Sequence, residues 1–455
     1  MKRLVVIGGG ESGVGAAVLG KVKGMDVWLT DMGTIAPRYK EILNKWEINW
    51  EEGHHTEEKV LAAHEIVKSP GVPLTAPLIV KAMAKGIPVI SEIELAGRYT
   101  DAKMVCITGS NGKTTTKEMV KAVLSAKYNT HATQGNFNNH IGVPMTLFQL
   151  RHSHEAAVVE MGTSGPDEIR PLSLAVEPDV AVITNIGASH LERLGDLDGV
   201  FREKITIREG LKAGGTLIVN ADDPRLCKVR KTRNMNVVTF GVKRGVIKPE
   251  KLTWNENACA DFYIGRTHFV LNVPGTHNLY NALAAIAVGD AFRVPRTTIA
   301  RALGNFRATN MRMEIRKAAG FKIVSDCYNA NPSSTRMALQ TIGHMDIRGS
   351  RIAVLGDMLE LGKASKDLHK EIGALVPEMN FDLLLAVGKD AQEFVKGARA
   401  AGMAQAYHFD SVQEVIEFLG DVVSEGDVVL VKGSRGMHME QVVDALTKLS
   451  PVSKD

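Results

Sequence analysis

The sequence of 455 residues predicts an α/β protein made of three domains. Short apolar runs, each followed by a polar or glycine-containing turn and then by a helical pattern, recur along the chain. Strands that alternate with helices are typical of parallel sheets covered by helices on their faces. The length allows about three units of roughly 100–200 residues each. We therefore expect domains at residues 1–100, 101–310 and 311–455.

The composition is that of a soluble globular chain, with 44% hydrophobic and 23% charged residues. Apolar runs fall short of the roughly 20 residues of a membrane span, and the run at 4–7 is too short for a signal peptide. Four cysteines without metal or disulfide spacing indicate a reducing cytoplasm. A net charge of +4 on a chain of this length is weak evidence for a nucleic-acid partner and is compatible with anionic substrates. We expect a cytoplasmic monomer with no nucleic-acid partner and no membrane span.

The first hundred residues predict a Rossmann-like domain. Strands are expected at 4–7, 27–30, 65–68 and 87–90, with helices at 14–23 and 76–85. The turn between the first strand and helix has the glycine spacing of a dinucleotide site, at Gly8, Gly10 and Gly13. Asp31 follows the second strand, where an acidic residue meets a ribose or base. This pattern does not separate NAD, FAD and a UDP-sugar, and a purely structural turn is the alternative.

Residues 105–116 predict a phosphate-binding loop in a central domain resembling a P-loop ATPase. An apolar strand breaks into a turn and then a helix, so that backbone N–H groups would face an anion. Lys113 would reach a terminal phosphate, and the hydroxyl of Thr114 or Thr115 would bind Mg²⁺. Ile107 stands where the full pattern has glycine, so the loop is shortened. The loop residues expected to contact phosphate are Gly109, Ser110, Asn111, Gly112, Lys113, Thr114 and Thr115.

Polar residues follow the next three predicted strands, at 156–159, 180–183 and 216–219. Because ligands bind at the carboxyl ends of parallel strands, Glu160, Asn185, His190 and Asn220 are candidates for one cleft. Glu160 suits Mg²⁺ beside Thr114, and His190 is either a second ligand or a structural residue. By pattern alone, Lys204 lies on the solvated face of an amphipathic helix.

The pattern restarts after residue 310. Apolar strands are expected at 322–325, 351–355, 383–387 and 428–431, with helical stretches such as 365–376 between them. These alternations predict a third, C-terminal Rossmann-like domain with a parallel sheet.

Several motifs resemble the Mur ligase superfamily, whose enzymes build the peptide of bacterial cell-wall precursors. They lie at 108–116, 135–144, 160–162, 185–195 and 220–224. Further motifs resemble the MurF branch, which adds D-alanyl-D-alanine. They lie at 275–278, 311–314, 326–332, 355–362 and 432–436.

The first hundred residues resemble a different branch. The Gly8 to Gly13 turn, Asp31, Ser69-Pro70-Gly71 and residues 91–94 are similar to MurD, which adds D-glutamate to UDP-N-acetylmuramoyl-L-alanine. The body departs from that branch, since Met161-Gly162-Thr163 stands where MurD would have Ser-Ser-Phe-Gln. We interpret the chain as a MurD-like head on a MurF-like body. A natural hybrid, an engineered chimera or a reconstructed sequence would each have this arrangement.

The resemblance implies a role for each candidate residue. Lys113 and its loop would hold ATP, with Thr114 and Glu160 on one Mg²⁺ and His190 on a second. Lys204 would be carbamylated by CO₂ and become an anionic metal ligand. Further ATP contacts would come from Asn278 at adenine and from Arg312 and Asp326 on the C-terminal side, with His277 and Asn220 as weaker candidates. The UDP group would lie on Gly8, Gly10, Gly13, Asp31, Ser69 and Gly71.

The implied function is an ATP-dependent carboxylate–amine ligase of peptidoglycan synthesis, and so of cell shape and division. It would form an acyl phosphate and add D-Ala-D-Ala to a UDP-MurNAc-peptide. Three alternatives stay open. They are MurD-type addition of D-glutamate to UDP-MurNAc-L-Ala, a non-ligating protein that binds a UDP-sugar or dinucleotide, and a nicotinamide oxidoreductase that has only the Gly8 to Gly13 turn in its favour.

Overall fold

The computed structural model describes residues 1–69, 71–98, 100–308 and 311–449. Pro70 of the predicted turn at 69–71, the predicted boundary at residue 310 and residues 450–455 lie outside these ranges. Three parallel or largely parallel sheets follow one another along the chain. The predicted α/β class with three domains is therefore confirmed, and the boundaries themselves stay predictions. Of the helices described, none is both long and apolar enough to cross a membrane.

The N-terminal domain has a wholly parallel sheet in the order β3-β2-β1-β4-β5. Its strands are β1 Arg3–Ile7, β2 Asp26–Asp31, β3 Asn49–Glu52, β4 Glu65–Lys68 and β5 Val89–Ser91. Its helices are α1 Glu11–Val22, α2 Pro37–Lys45, α3 Glu57–Leu61, α4 Pro77–Ala84 and α5 Glu92–Gly97. The strand predicted at 87–90 begins later, because Pro88 has no N–H for the ladder. The strand β3 was not predicted, since the charged stretch around it lacks an apolar run.

The central domain has a six-stranded parallel sheet in the order β11-β10-β9-β6-β8-β7. Its strands are β6 Lys103–Thr108, β7 Thr130–Ala132, β8 Ala156–Glu160, β9 Val180–Ile183, β10 Gly215–Asn220 and β11 Met235–Phe240. Its helices are α6 Lys113–Ser125, α7 Gly142–Phe148, α8 Ile169–Val176, α9 Leu191–Leu194, α10 Leu197–Ile205, α11 Thr276–Ala291 and α12 Arg296–Asn305, with 3₁₀ helices at Thr206–Gly210 and Leu226–Lys228. Because β6 lies between β8 and β9, the loop after β6 opens beside the ends of both.

A second sheet in the central domain is antiparallel, so the expected α/β alternation is wrong over residues 250–274. Its strands are β12 Glu250–Trp254, β13 Cys259–Ile264 and β14 Thr267–Pro274. Ile264 pairs with Thr267 across a two-residue turn that contains Gly265 at φ +59°. Such a turn joins antiparallel neighbours, whereas parallel strands need a long crossover.

The C-terminal domain has a six-stranded sheet in the order β15-β16-β20-β17-β18-β19. Its strands are β15 Glu314–Ala318, β16 Phe321–Ser325, β17 Arg351–Gly356, β18 Leu383–Val387, β19 Ala406–Phe409 and β20 Val428–Lys432. Its helices are α13 Pro332–Gly343, α14 Ser365–Glu378, α15 Gln392–Ala400, α16 Val412–Val422 and α17 Glu440–Lys448, with 3₁₀ helices at Gly362–Ala364 and Arg435–Met437. The prediction of a purely parallel sheet is wrong at β15. Ala319 and Gly320, both with positive φ, form a tight hairpin that makes β15 antiparallel to β16.

Two helix glycines of the C-terminal domain differ in the space around them. A Cβ on Gly373 of α14 would lie 2.0 Å from the carbonyl oxygen of Phe394 on α15, whereas a Cβ on Gly420 of α16 would meet nothing within 4 Å. We predict that Gly373→Ala lowers the free energy of unfolding by about 1–3 kcal/mol through overpacking. The control Gly420→Ala should raise it by up to about 1 kcal/mol. Urea unfolding followed by circular dichroism measures both, and equal effects would contradict the packing argument.

Candidate active site

The predicted phosphate loop follows β6, and two of its glycines are required by close approach. Gly109 has φ +147°, and a Cβ there would lie 1.9 Å from Oγ1 of Thr184. Gly112 has φ +78° at the N-cap of α6, where a Cβ would lie 2.4 Å from Oδ1 of Asn281. The loop can therefore turn tightly against β9 and α11, so that the N-terminus of α6 faces the space beyond it.

Side chains after β9 hold the loop in shape. Thr184 Oγ1 donates to the carbonyl oxygen of Asn111 at 2.6 Å, and Asn185 Nδ2 donates to the same oxygen at 3.0 Å. The N–H of Asn111 donates to Oδ1 of Asn185 at 2.9 Å. Asn185, expected only as a cleft residue, thus fixes the loop that would contact phosphate.

The ammonium group of Lys113 lies inside the loop. Nζ donates to the carbonyl oxygens of Gly109 at 2.6 Å and Ser110 at 3.2 Å. Burial lowers the pKa of Lys113, the charge of Glu160 raises it, and the charge of Arg312 lowers it further. Because two neutral carbonyls are weak partners for a half-buried cation, this side chain is suited to an anionic ligand.

The carboxylate of Glu160 ends β8 beside the loop. Its Oε1 accepts from Asn138 Nδ2 at 2.9 Å and from Thr114 Oγ1 at 3.3 Å. Its Oε2 is buried and has no hydrogen-bond partner within the described part of the chain. A carboxylate and a hydroxyl are hard oxygen donors of the kind that Mg²⁺ takes, so the pair fits this ion. Groups of three or more His, Cys, Asp or Glu that could hold a metal are absent from the described ranges.

Lys204 is buried in the interior, so the solvated-face interpretation of its helix is wrong. Its side chain in α10 is 1% exposed. Burial, followed by the charge of Lys113, lowers the pKa of Lys204 to about 7. The neighbouring Glu203 is also buried, because its carboxylate accepts the N–H groups of Asp167, Glu168 and Ile169 at the start of α8. Two adjacent charged residues therefore have interior positions.

His190 lies at the same end of the sheet, with φ +52° at the start of α9. Burial lowers its pKa, the charge of Glu360 raises it, and the charges of Lys113 and Lys204 lower it. The distance from its Nδ1 to Oε2 of Glu360 is 3.8 Å. The structure thus brings together the residues that the sequence pointed to from separate motifs, Lys113, His190 and Lys204.

The C-terminal domain touches the loop directly. Arg312 Nη2 donates to Oγ1 of Thr114 at 3.2 Å, and its guanidinium lies 4.0 Å from the ring centre of Tyr328. Asn331 Nδ2 donates to Oδ1 of Asn111 at 2.9 Å. Both contacts bridge residues about 200 positions apart, so they depend on the packing of two domains.

Asp326 is hydrogen-bonded to the residue that follows Arg312. Its Oδ1 accepts the N–H of Met313 at 3.1 Å, and its Oδ2 accepts from Lys432 Nζ at 2.6 Å. Met311 and Met313 both have positive φ, at 56° and 54°. Asp326, which the resemblance assigns to the nucleotide, is therefore engaged with the segment that carries the arginine.

These elements enclose a cavity of about 400 Å³. Of the residues predicted for nucleotide and metal, it is lined by Ser110 to Thr115, Glu160, Asn220, His277, Asn278, Arg312 and Asp326. Asn278 is nearly fully buried and donates to the carbonyl oxygen of Pro274 at 2.8 Å. Burial lowers the pKa of His277 to about 4, so its imidazole is neutral.

Other lining residues were missed as site residues. They include Asn138, Thr184, Phe240, Tyr280, Asn281, Tyr328, Asn329, Asn331 and Lys432. Five of them stand inside motifs already noted, and membership of those motifs was the available signal for Asn138, Tyr328, Asn329, Asn331 and Lys432. Tyr280 and Asn281 follow the motif at 275–278 on α11, where one helical turn brings them to the same face.

A second cavity, of about 660 Å³, lies in the N-terminal domain. Gly8, Asp31 and Gly71 line it, together with His54 and His55. Gly10, Gly13 and Ser69, also predicted to contact UDP, are not among its lining residues.

Close packing explains why Gly13 and Ser69 lie outside the lining of this cavity. A Cβ on Gly13 would lie 1.9 Å from the carbonyl oxygen of Gly8, and a Cβ on Gly8 would lie 2.3 Å from Oγ of Ser69. Asp31 accepts the N–H groups of Gly9 at 2.5 Å and Gly33 at 2.7 Å. Its carboxylate thus stabilises the turn.

Comparison with known proteins gives the family. Models of the MurD-like N-terminal domain, the Mur ligase middle domain and the Mur ligase glutamate ligase domain match residues 2–91, 107–289 and 311–435. The UDP-N-acetylmuramoyl-tripeptide–D-alanyl-D-alanine ligase of Bacillus subtilis is 37% identical over 355 residues, 77% of each chain. The chain belongs to the Mur ligase family. It is therefore an ATP-dependent peptide ligase, as the motifs implied.

Relatives of two branches match this Mur ligase. The UDP-N-acetylmuramoylalanine–D-glutamate ligase of Bacteroides fragilis is 32% identical over 446 residues, 95% of this chain and 94% of its own. A crystal structure of MurF from Acinetobacter baumannii superimposes with a TM-score of 0.73 at 27% identity, covering 93% of this chain and 90% of that one. The predicted resemblance to both MurD and MurF is confirmed.

Lys113 is the residue whose removal tests the loop. We predict that Lys113→Ala lowers ATP-dependent phosphate release by at least about 100-fold, because a cation aimed at the transferred phosphoryl group is lost. Lys121→Ala, at an exposed position of the same helix, is the matched control and should leave the rate unchanged. Phosphate release with saturating substrates measures both. Normal turnover by Lys113→Ala would show that ATP reacts elsewhere.

Proposed function

We propose that this ligase adds D-alanyl-D-alanine to the peptide of a UDP-N-acetylmuramoyl substrate. The observation that carries the proposal is the direct contact of the C-terminal domain with the phosphate loop, through Arg312 and Asn331. Both residues belong to motifs that resemble the MurF branch. The relative from Bacillus subtilis, which is named for this reaction, supports the same amine.

The chemistry proceeds in two steps. A substrate carboxylate attacks the γ-phosphate of ATP, which forms an acyl phosphate and releases ADP. Lys113 and the N–H groups of its loop stabilise the charge on the transferred group. The amine then attacks the acyl carbon, a C–N bond forms, the amine loses a proton and phosphate leaves. The C-terminal domain over the loop excludes water, which would otherwise hydrolyse the acyl phosphate.

Mg²⁺ would neutralise the phosphate oxygens when bound. The orphaned Oε2 of Glu160, with the hydroxyl of Thr114, supports this site. For Lys204 we propose carbamylation, in which its neutral amine attacks CO₂, an N–C bond forms and a proton leaves. A pKa of about 7 supports it, because a large fraction of the amine is then neutral near pH 7. The carbamate would supply a further anionic oxygen beside His190 and Lys113.

The head would bind the UDP group, and the cavity lined by Gly8, Asp31 and Gly71 supports this assignment. Such UDP-linked substrates imply a cytoplasmic location. A second candidate function is addition of D-glutamate to UDP-MurNAc-L-Ala. It is favoured by the D-glutamate ligase of Bacteroides fragilis, which aligns over 95% of this chain, and by the MurD-like head. A protein that binds a UDP-sugar without ligation would not need the assembled Lys113, Glu160, His190 and Lys204.

A substrate matrix decides between the two amines. Phosphate release is measured with UDP-MurNAc-L-Ala or UDP-MurNAc-tripeptide as acceptor, each with D-Ala-D-Ala or D-glutamate and ATP. We expect the highest rate for the tripeptide with D-Ala-D-Ala. Phosphate release only from UDP-MurNAc-L-Ala with D-glutamate would refute the proposed amine and establish the second candidate.

Carbamylation predicts a dependence on CO₂. Removal of CO₂ from the buffers should lower the rate of phosphate release, and bicarbonate should restore it, because the carbamate forms reversibly. The Lys204→Ala variant should release phosphate slowly, and bicarbonate should not raise its rate. The modification itself is measured by ¹³C NMR of the protein equilibrated with labelled CO₂. A rate that is independent of CO₂, with no carbamate signal, would contradict this role.

A further inference from the structure

The motif at residues 355–362 forms a loop whose first half is fixed by hydrogen bonds. It follows β17 and leads towards α14. The N–H of Met358 donates to Nε2 of the buried His369 at 3.0 Å. The N–H of Leu359 donates to Oγ of the buried Ser434 at 2.9 Å. Two consecutive peptide groups are thus held by side chains of the C-terminal domain, which sets the direction in which the next residue leaves the loop.

That next residue is Glu360, and its side chain points towards the central domain. It has φ +62°, a conformation that few residues other than glycine adopt. Its side chain is 76% exposed, and Oε2 lies 3.8 Å from Nδ1 of His190. This distance is too long for a hydrogen bond, so both carboxylate oxygens can accept hydrogen bonds from another group.

The charges around this position identify the class of that group. His190, Lys113 and Lys204 lie on the central-domain side. On that side Oε1 of Glu160 is bonded to Asn138 and Thr114, and its buried Oε2 is the oxygen proposed for Mg²⁺. Glu360 brings a solvent-accessible carboxylate to the opposite side. ATP and the UDP-linked acceptor are anions and would be repelled by it. The amine substrate carries an ammonium group, with which a carboxylate forms short, strong hydrogen bonds.

We propose that Glu360 binds the ammonium group of the incoming amine substrate. The carboxylate would hold the amino end of that substrate at the C-terminal wall of the site, next to the residues that hold the acyl phosphate. The inference rests on the proposed ligase function, and it applies to either amine, since D-Ala-D-Ala and D-glutamate both carry an ammonium group.

The variant Glu360→Gln keeps the size of the side chain and removes its charge. We expect the KM for the amine to rise about 10- to 100-fold, as for loss of a charge-assisted hydrogen bond. The KM values for ATP, Mg²⁺ and the UDP-linked acceptor should not change. Glu360→Asp should recover part of the loss. The matched control is Glu417→Gln on α16, an exposed carboxylate that accepts from Gln413 and should behave as the unmodified enzyme.

A dipeptide analogue without the amino group, propanoyl-D-alanine, tests the contact itself. The unmodified enzyme should bind D-Ala-D-Ala more tightly than this analogue, and Glu360→Gln should lose most of that preference. This preference is measured without turnover by calorimetry. Both compounds are titrated into protein that is loaded with ADP and the UDP-linked acceptor. An unchanged KM for the amine, a retained preference, or an equal rise in the requirement for Mg²⁺ or ATP would overturn the proposal.

Failure of the proposed amine gives a different result. If the unmodified enzyme releases phosphate only with D-glutamate, then D-Ala-D-Ala is not the substrate, and the same variants are measured with D-glutamate. A rise in the KM for D-glutamate in Glu360→Gln would still support the ammonium contact. If neither amine supports turnover, both amines are titrated into the unmodified enzyme and into Glu360→Gln. Weaker binding by the variant would support the ammonium contact, and equal binding would overturn it.

Discussion

Positive charge concentrated at one end of the central sheet is the constraint on which the site depends. Burial lowers the pKa of Lys113, of Lys204 and of His190. The charge of Lys113 lowers the pKa of Lys204 and of His190 further, and Arg312 adds a cation beside Lys113 from the C-terminal domain. Buried like charges are costly unless anions accompany them. A triphosphate, and a carbamate on Lys204, would both relieve this repulsion. The electrostatics of this site would therefore favour binding of the nucleotide and formation of the carbamate.

Backbone geometry brings these charges together. The strand order places β6 between β8 and β9, so Glu160 and Asn185 meet the loop from its two sides. Gly109 and Gly112 allow the loop to contact β9 and α11 without a clash. Local conformation, sheet topology and chemistry are thus coupled, because a side chain at either glycine would move the helix N-terminus that faces the phosphate.

The sequence predicted the features that depend on local pattern. Most strands of the parallel sheets, the loop at 109–115 and the polar residues at strand ends follow from apolar runs and turn chemistry. Four parallel strands, β3, β7, β11 and β19, were not predicted. Periodicity could not identify Lys204 as buried, because Arg202-Glu203-Lys204 is charged throughout, and only the packing of α10 against α8 separates these residues. Contacts such as that of Asn331 with Asn111, 220 positions apart, depend on how domains pack, which no local pattern encodes. The antiparallel strands β12 to β15 were missed because their hairpin turns are short and lack a strong signal.

The cavity around the phosphate loop is lined, within the described residues, by positions from 110 to 432 only. The residues proposed to bind the UDP group in the head therefore lie outside the lining of this cavity. A recombination event near residue 100 would exchange the acceptor-binding module and leave phosphoryl transfer intact. A family built on this plan can acquire new acceptors by exchange of whole domains, and the combination of a MurD-like head with a MurF-like body is what such an exchange would produce.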